Sequence, residues 1–125
     1  MKNLTLNEYQ ERAMLTCMKT CDNFSYMMLN LVAEVGEFAG KVAKAVRKGE
    51  VIIGEIPNDM TPKVGFDRWV DQSEELKKEA GDILWQLAGL CTVMGWALGD
   101  VGIGNLEKLA SRKERGVIDG SGDNR

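Results

Sequence analysis

Between Phe24 and Lys48 the apolar residues Met28, Leu31, Val35, Phe38, Val42 and Val46 recur three and four positions apart, with no proline among them. That period predicts a helix over about residues 24–48, and Gly49 stands where a C-cap glycine belongs. Leu6, Tyr9, Ala13, Leu15 and Cys17 repeat more loosely behind Thr5 and Glu8, which have the spacing of a capping box, so a first helix is expected over about residues 6–20. Asp71 and Glu74 repeat the capping spacing ahead of Leu76, Ala80, Ile83, Leu87, Met94 and Leu98. This predicts a helix over about residues 72–98, ended by Gly99. From Asn105 the chain is again strongly helical, and a fourth helix is expected over about residues 101–115 with Asp100 as its cap.

The segments between and after these runs have a different character. Residues 49–71 hold both prolines, several glycines and no sustained period, which reads as an irregular connector. Within it Val51, Ile52 and Ile53 can form a short extended piece, and Phe66 and Trp69 can anchor the loop. The tail 116–125 is glycine-rich and polar, so the expectation is a flexible segment that orders only on a ligand or partner. The sum is an all-α four-helix bundle, a single domain over residues 1–115.

Composition narrows the chemistry. A chain of 125 residues with 44% hydrophobic and 28% charged residues is long enough to bury one core without staples. It contains no His, which removes Ser-His-Asp and Cys-His catalysis and the common zinc ligand sets. Cys17, Cys21 and Cys91 lack a CxxC pair and read as reduced core thiols. A net charge of −3 gives no general attraction to phosphate backbones, so stable nucleic-acid binding is not expected. With no signal-peptide core and no apolar run long enough to span a bilayer, the expected location is the cytoplasm.

Carboxylates remain as the candidate chemistry. Glu34 and Glu37 lie three apart on one long helix, and Glu79 and Asp82 three apart on the other, so each pair shares a face. On a helical wheel each pair borders its apolar stripe, and two helices that pack stripe to stripe bring matching flanks together, so the four acids can converge beside the core. Like charges at that range repel, and an all-oxygen set with neither His nor thiolate suits Mg²⁺, with Mn²⁺ as a substitute. The same spacings also occur on solvated helix faces, where Glu37 and Lys41 form an ordinary salt bridge. Lys41, Lys44 and Lys48 continue the Glu34 face and can steer a polyanion.

The segments AEVGEFAGKVAKAVRKGE and EELKKEAGDILWQLAGLCTVMGWALGDVGIGNLEKLASRKERG together resemble the MazG-like nucleotide pyrophosphohydrolases of the all-α NTP pyrophosphatase superfamily. The pattern is an ExxE helix, an ExxD helix with a GDxLW-type run, and an N-x-x-K-L-x-x-R segment matched by Asn105, Lys108, Leu109 and Arg112. Ala33 stands where many relatives carry a further acid. The resemblance implies Mg²⁺-dependent cleavage of a nucleoside triphosphate to monophosphate and pyrophosphate, in a homodimer or homotetramer with sites between chains. It further implies that Glu34, Glu37, Glu79 and Asp82 hold the metal, with Glu34 or Glu37 positioning the water, and that Asn105, Lys108 and Arg112 contact substrate, to which the face argument adds Lys41. A catalytically silent helical adaptor or nucleotide sensor is the alternative.

Overall fold

The computed structural model describes residues 3–49 and 66–124, with the side chains of 66–73 outside that description. Four α-helices and one 3₁₀ turn, with no strand, make up the regular structure of the described residues: α1 (Leu6–Met14), the turn Lys19–Cys21, α2 (Phe24–Arg47), α3 (Phe66–Val93) and α4 (Leu98–Glu114). The all-α expectation holds. The expected extended piece at Val51–Ile53 lies outside the described residues, and no described helix is by itself long and apolar enough to cross a membrane.

The ends of the helices depart from the expected ones for local reasons. The capping box at Thr5 and Glu8 forms with both of its bonds. However, α1 stops at Met14, because the Thr16 hydroxyl donates to the Ala13 carbonyl (2.7 Å) and the Trp85 indole donates to the same oxygen (3.1 Å). These side chains satisfy the carbonyl that a longer helix would have used. α3 begins at Phe66, so Asp71 and Glu74 lie inside a helix and open none. It ends at Val93, before Gly99, because Gly95 takes φ +72° and lets the Trp96 amide reach back to the Cys91 carbonyl at 2.8 Å. Only glycine enters that left-handed conformation without steric cost.

α4 starts three residues earlier than expected, and its cap is not Asp100. Ala97 occupies the N-cap position and offers no side-chain bond. The first-turn amides, which have no partner within α4, are instead met from α1, where Gln10 Oε1 accepts from the Leu98 amide (2.7 Å) and Asn7 Oδ1 from the Gly99 amide (2.8 Å). Gln10 also donates to the Trp96 carbonyl and the Thr92 hydroxyl.

The main packing is α2 on α3, with α1 laid across α3 and α4 against α1. Met27 is fully buried over Gly89, whose missing side chain makes room for it: a Cβ there would overlap Met27 Sδ and Cε. Ala88, Cys91 and Leu98 form a second cluster with Tyr9, Met14, Leu84 and Leu87. Of the three free cysteines only Cys91 is core; Cys17 and Cys21 are half-buried beside the 3₁₀ turn. α4 leaves α3 at a bend of 102°.

Candidate active site

Helical phase sets where the acids stand. With Glu34 as reference, Met27 and Ala45, the buried residues of α2, fall within about 20° of it. Glu34 therefore points into the α2–α3 seam, where the wheel had put it at the border, while Val35, expected in the stripe, is exposed. On α3, Leu76, Glu79 and Gln86 are all buried along one line. The seam thus brings Glu34, Glu79 and Asp82 together, with carboxylate oxygens all within 4.8 Å of one another. Glu37 is not a member of this trio and lies exposed.

The surroundings of the trio explain its electrostatics. Glu34 accepts from Asn30 Nδ2 at 3.0 Å. Burial nonetheless pushes its carboxyl above the usual range, reinforced by the charges of Glu37, Asp82 and Glu79. Lys41 Nζ sits 2.5 Å from Glu79 Oε1 and 3.7 Å from Glu75 Oε2. Contact with Glu79 pushes the Lys41 ammonium up. The structure thus places this lysine on the acids. Glu79 is 7% exposed, and its second oxygen, Oε2, is buried with no hydrogen-bond partner among the described residues.

A buried carboxylate oxygen without a donor is costly unless a cation or proton meets it. The residues present therefore fit a hard divalent cation: three convergent oxygen donors and one unpaired buried oxygen. Sequence reasoning missed the aromatic and amide neighbours. Tyr9 from α1 lies near Asp82, and burial followed by that charge pushes its phenol up. Tyr26 is likewise raised, first by burial, and neighbours Cys21, Gln86 and Glu34. Gln86 is buried, and its Oε1 has no hydrogen-bond partner among the described residues. Asn30 and Gln86 were visible as residues four positions from Glu34 and Asp82, whereas Tyr9 reaches the site only through tertiary packing.

The α4 residues are not gathered to the acids. A rise of 1.5 Å per residue puts Asp82 about 17 Å before the end of α3, with Lys108 and Arg112 about 15 and 21 Å along α4. Across the bend, the backbones of the α4 cations stand about 20 Å or more from Asp82. Asn105 and Lys108 are exposed on α4, and Arg112 is buried against the tail.

Residues 22–117 match the family described as the MazG nucleotide pyrophosphohydrolase domain, a span that includes every acid of the site and leaves α1 outside. A curated relative, the Gene 37 protein of Mycobacterium phage L5, is 38% identical over 108 residues, covering 84% of this chain and 82% of the phage protein. No solved structure matches significantly. By its sequence match over α2, α3 and α4, the chain belongs to the MazG nucleotide pyrophosphohydrolase domain family.

Proposed function

We propose that the protein cleaves a nucleoside triphosphate, with deoxynucleotides the first candidates, to the monophosphate and pyrophosphate, and so cleans the nucleotide pool. The observation that carries this reading is the unpaired, buried Glu79 Oε2 set among Glu34 and Asp82, in a chain of this family. Glu34, Glu79 and Asp82 would hold Mg²⁺, or Mn²⁺ in its place. When bound, the cation neutralises phosphate charge and acidifies water.

Glu37 lies one turn from Glu34 and outside the trio, so we assign its carboxylate, in preference to a metal-holding Glu34, to take the proton of the attacking water. The water oxygen bonds to the α-phosphorus, the bond from that phosphorus to the bridging oxygen breaks, and pyrophosphate leaves carrying that oxygen. Lys108 and Arg112, four apart on α4, grip phosphate oxygens, and Asn105 takes a sugar or phosphate oxygen. Lys41 turns from Glu79 to the substrate once the acids are neutralised.

The distance across the α3–α4 bend makes the oligomer part of this proposal. In one chain Lys108 and Arg112 are out of reach of a phosphate held at the acids. A homodimer or homotetramer removes the difficulty if α4 of one copy serves the acids of another. The outer face of α2 suits such pairing: Leu29, Val32, Val35, Gly36, Ala39, Gly40, Ala43 and Val46 are all exposed on it.

The test is pyrophosphate release from a panel of ribo- and deoxyribonucleoside triphosphates with Mg²⁺, against Glu79→Gln and chelator controls. Turnover lost in both controls supports the proposal. The Lys41–Glu79 ion pair favours a second reading, a silent adaptor or nucleotide sensor whose acids are merely salt-bridged. That reading predicts no turnover and no saturable Mn²⁺ binding.

A further inference from the structure

Arg112 is 5% exposed on a helix whose neighbouring residues are nearly all exposed, and what covers it is the chain's own C-terminal end. Beyond α4 the chain turns at Gly116 (φ +68°), with the Val117 amide on the Arg112 carbonyl at 2.9 Å, and again at Gly120, whose amide reaches Val117. The strap then comes back along α4. Arg112 Nη2 donates to the Gly122 carbonyl (3.3 Å), the Asp123 carbonyl (3.2 Å) and Asp123 Oδ1 (3.0 Å). Lys108 Nζ meets the same Asp123 oxygen at 3.4 Å. One carboxylate oxygen is thereby shared by both α4 cations.

The fit is poor on the guanidinium side. Three acceptors crowd Nη2, all at or beyond 3.0 Å, while Nε of the same group is buried with no partner among the described residues. A guanidinium binds an oxoanion best side-on, through Nε and one terminal nitrogen at once. A tetrahedral phosphate placed there would bond the nitrogen that the strap leaves unpaired and carry more charge than a carboxylate. Asp123, by contrast, has an 83% exposed side chain, and among the described residues these two cations hold it.

We propose that Asp123 is a built-in competitor for polyphosphate: its carboxylate occupies the Lys108–Arg112 pair in the free protein, and the polyphosphate of a substrate or product binds there by displacing the C-terminal strap. This rests on the reading that Lys108 and Arg112 take phosphate. The strap is a short tether, so its effective concentration is high; if it were closed about nine-tenths of the time, apparent phosphate affinity would be weakened about tenfold. Displacement also frees Asp123 and the segment after Gly116, coupling occupancy of the cationic pair to release of the chain end.

The experiment is calorimetric titration of full-length, metal-stripped protein with inorganic pyrophosphate, which isolates the cationic pair because the bare acids repel the probe. Asp123→Asn keeps the shape of the side chain and removes its charge. It is expected to bind pyrophosphate about tenfold more tightly than the wild type, and adding Lys108→Ala is expected to abolish the gain. If Asp123→Asn binds no more tightly while Lys108→Ala alone weakens binding, the cations hold phosphate and the strap does not compete, which overturns the proposal by itself. If Lys108→Ala leaves affinity unchanged in both backgrounds, the phosphate reading of the pair fails, and the proposal with it. Lys108 is partly exposed, so its removal does not put folding at stake.

Discussion

Glu34, Glu79 and Asp82 carry three carboxylates with oxygens within 4.8 Å, and at an effective dielectric of about 20 each ionised pair repels by about 3 kcal/mol. Lys41 offsets part of this at Glu79, and Glu34 answers with a raised affinity for its proton. A divalent cation held by the trio would relieve all three at once and would bind the folded state alone. At a hundred times its dissociation constant Mn²⁺ should therefore stabilise the protein by about 2.7 kcal/mol, raising Tm by several degrees in thermal-shift assays. Glu79→Gln should lose that rise, whereas Glu37→Gln should keep it and lose turnover. A Glu37→Gln protein with no thermal rise would instead make Glu37 a ligand. Helical phase in the sequence carried all four acids to one side of the seam, but phase says nothing of how far each helix is rolled toward its neighbour. That roll selects three acids and leaves Glu37 outside. Asp123 shows another interaction invisible to periodicity. Its carboxyl is held below the ordinary 3.8 by the Arg112 bond first and then by Lys108. Because the folded value is depressed, the tether is fully present above pH 3.8 and is lost as pH falls through the folded value. A ¹³C NMR titration of the Asp123 carboxyl should give a midpoint below 3.8 in the wild type and a return toward it in Lys108→Ala.

Among the elements, α2 was legible almost to the residue because its own sequence supplies every signal: Asn23 accepts from the Tyr26 amide at the start, and Gly49 at φ +70° closes the end. α4 was not, since its first amides are met by Asn7 and Gln10 about ninety positions earlier in the chain, and a capping residue on a different helix leaves no local mark. The consequence is a dependence of α4 on α1. Gln10→Ala removes an acceptor from the Leu98 amide and donors from the Trp96 carbonyl and the Thr92 hydroxyl. Leaving a part-buried amide unpaired costs about 1–3 kcal/mol. Urea denaturation should register that loss as a lower midpoint with an unchanged m-value. An unchanged midpoint would mean that water replaces Gln10 at the α3–α4 corner without loss. The matched family segment begins at residue 22, so this corner is braced by a helix that lies outside it.

For the whole molecule, the described core is small: Met27, Ala45, Leu76, Ala88, Cys91 and Leu98 are its buried hydrophobics. Meanwhile Leu29 is 74% exposed and Val32 67% exposed, on the side of α2 that faces away from α3. A helix apolar on both sides calls for cover on both. Along that outer face the large residues Leu29, Val32 and Val46 flank the small ones Gly36, Ala39, Gly40 and Ala43. Among the described residues nothing lies within 4 Å of a Cβ built at either Gly36 or Gly40, so a second helix can approach closely there. An antiparallel copy with its dyad between residues 37 and 38 sets Leu29 against Val46, Val32 against Ala43 and Gly36 against Ala39, so that Leu29 and Val32 each face a smaller side chain. Such pairing, with the acids of one copy served by the α4 cations of another, makes a testable demand on mixed oligomers. Glu79→Gln lacks working acids and Lys108→Ala a working cation, so each alone should be strongly impaired. In a mixed dimer one of the two sites takes its acids from the Lys108→Ala chain and its cation from the Glu79→Gln chain, and that site is intact. Unfolding and refolding the two proteins together at equal concentration should therefore restore about a quarter of wild-type turnover. Val32→Glu in both chains should block the restoration and give a monomeric mass by light scattering. If mixing restores nothing while both variants remain oligomeric, the acids and cations of a site belong to one chain, and α4 must swing toward α3 when substrate binds.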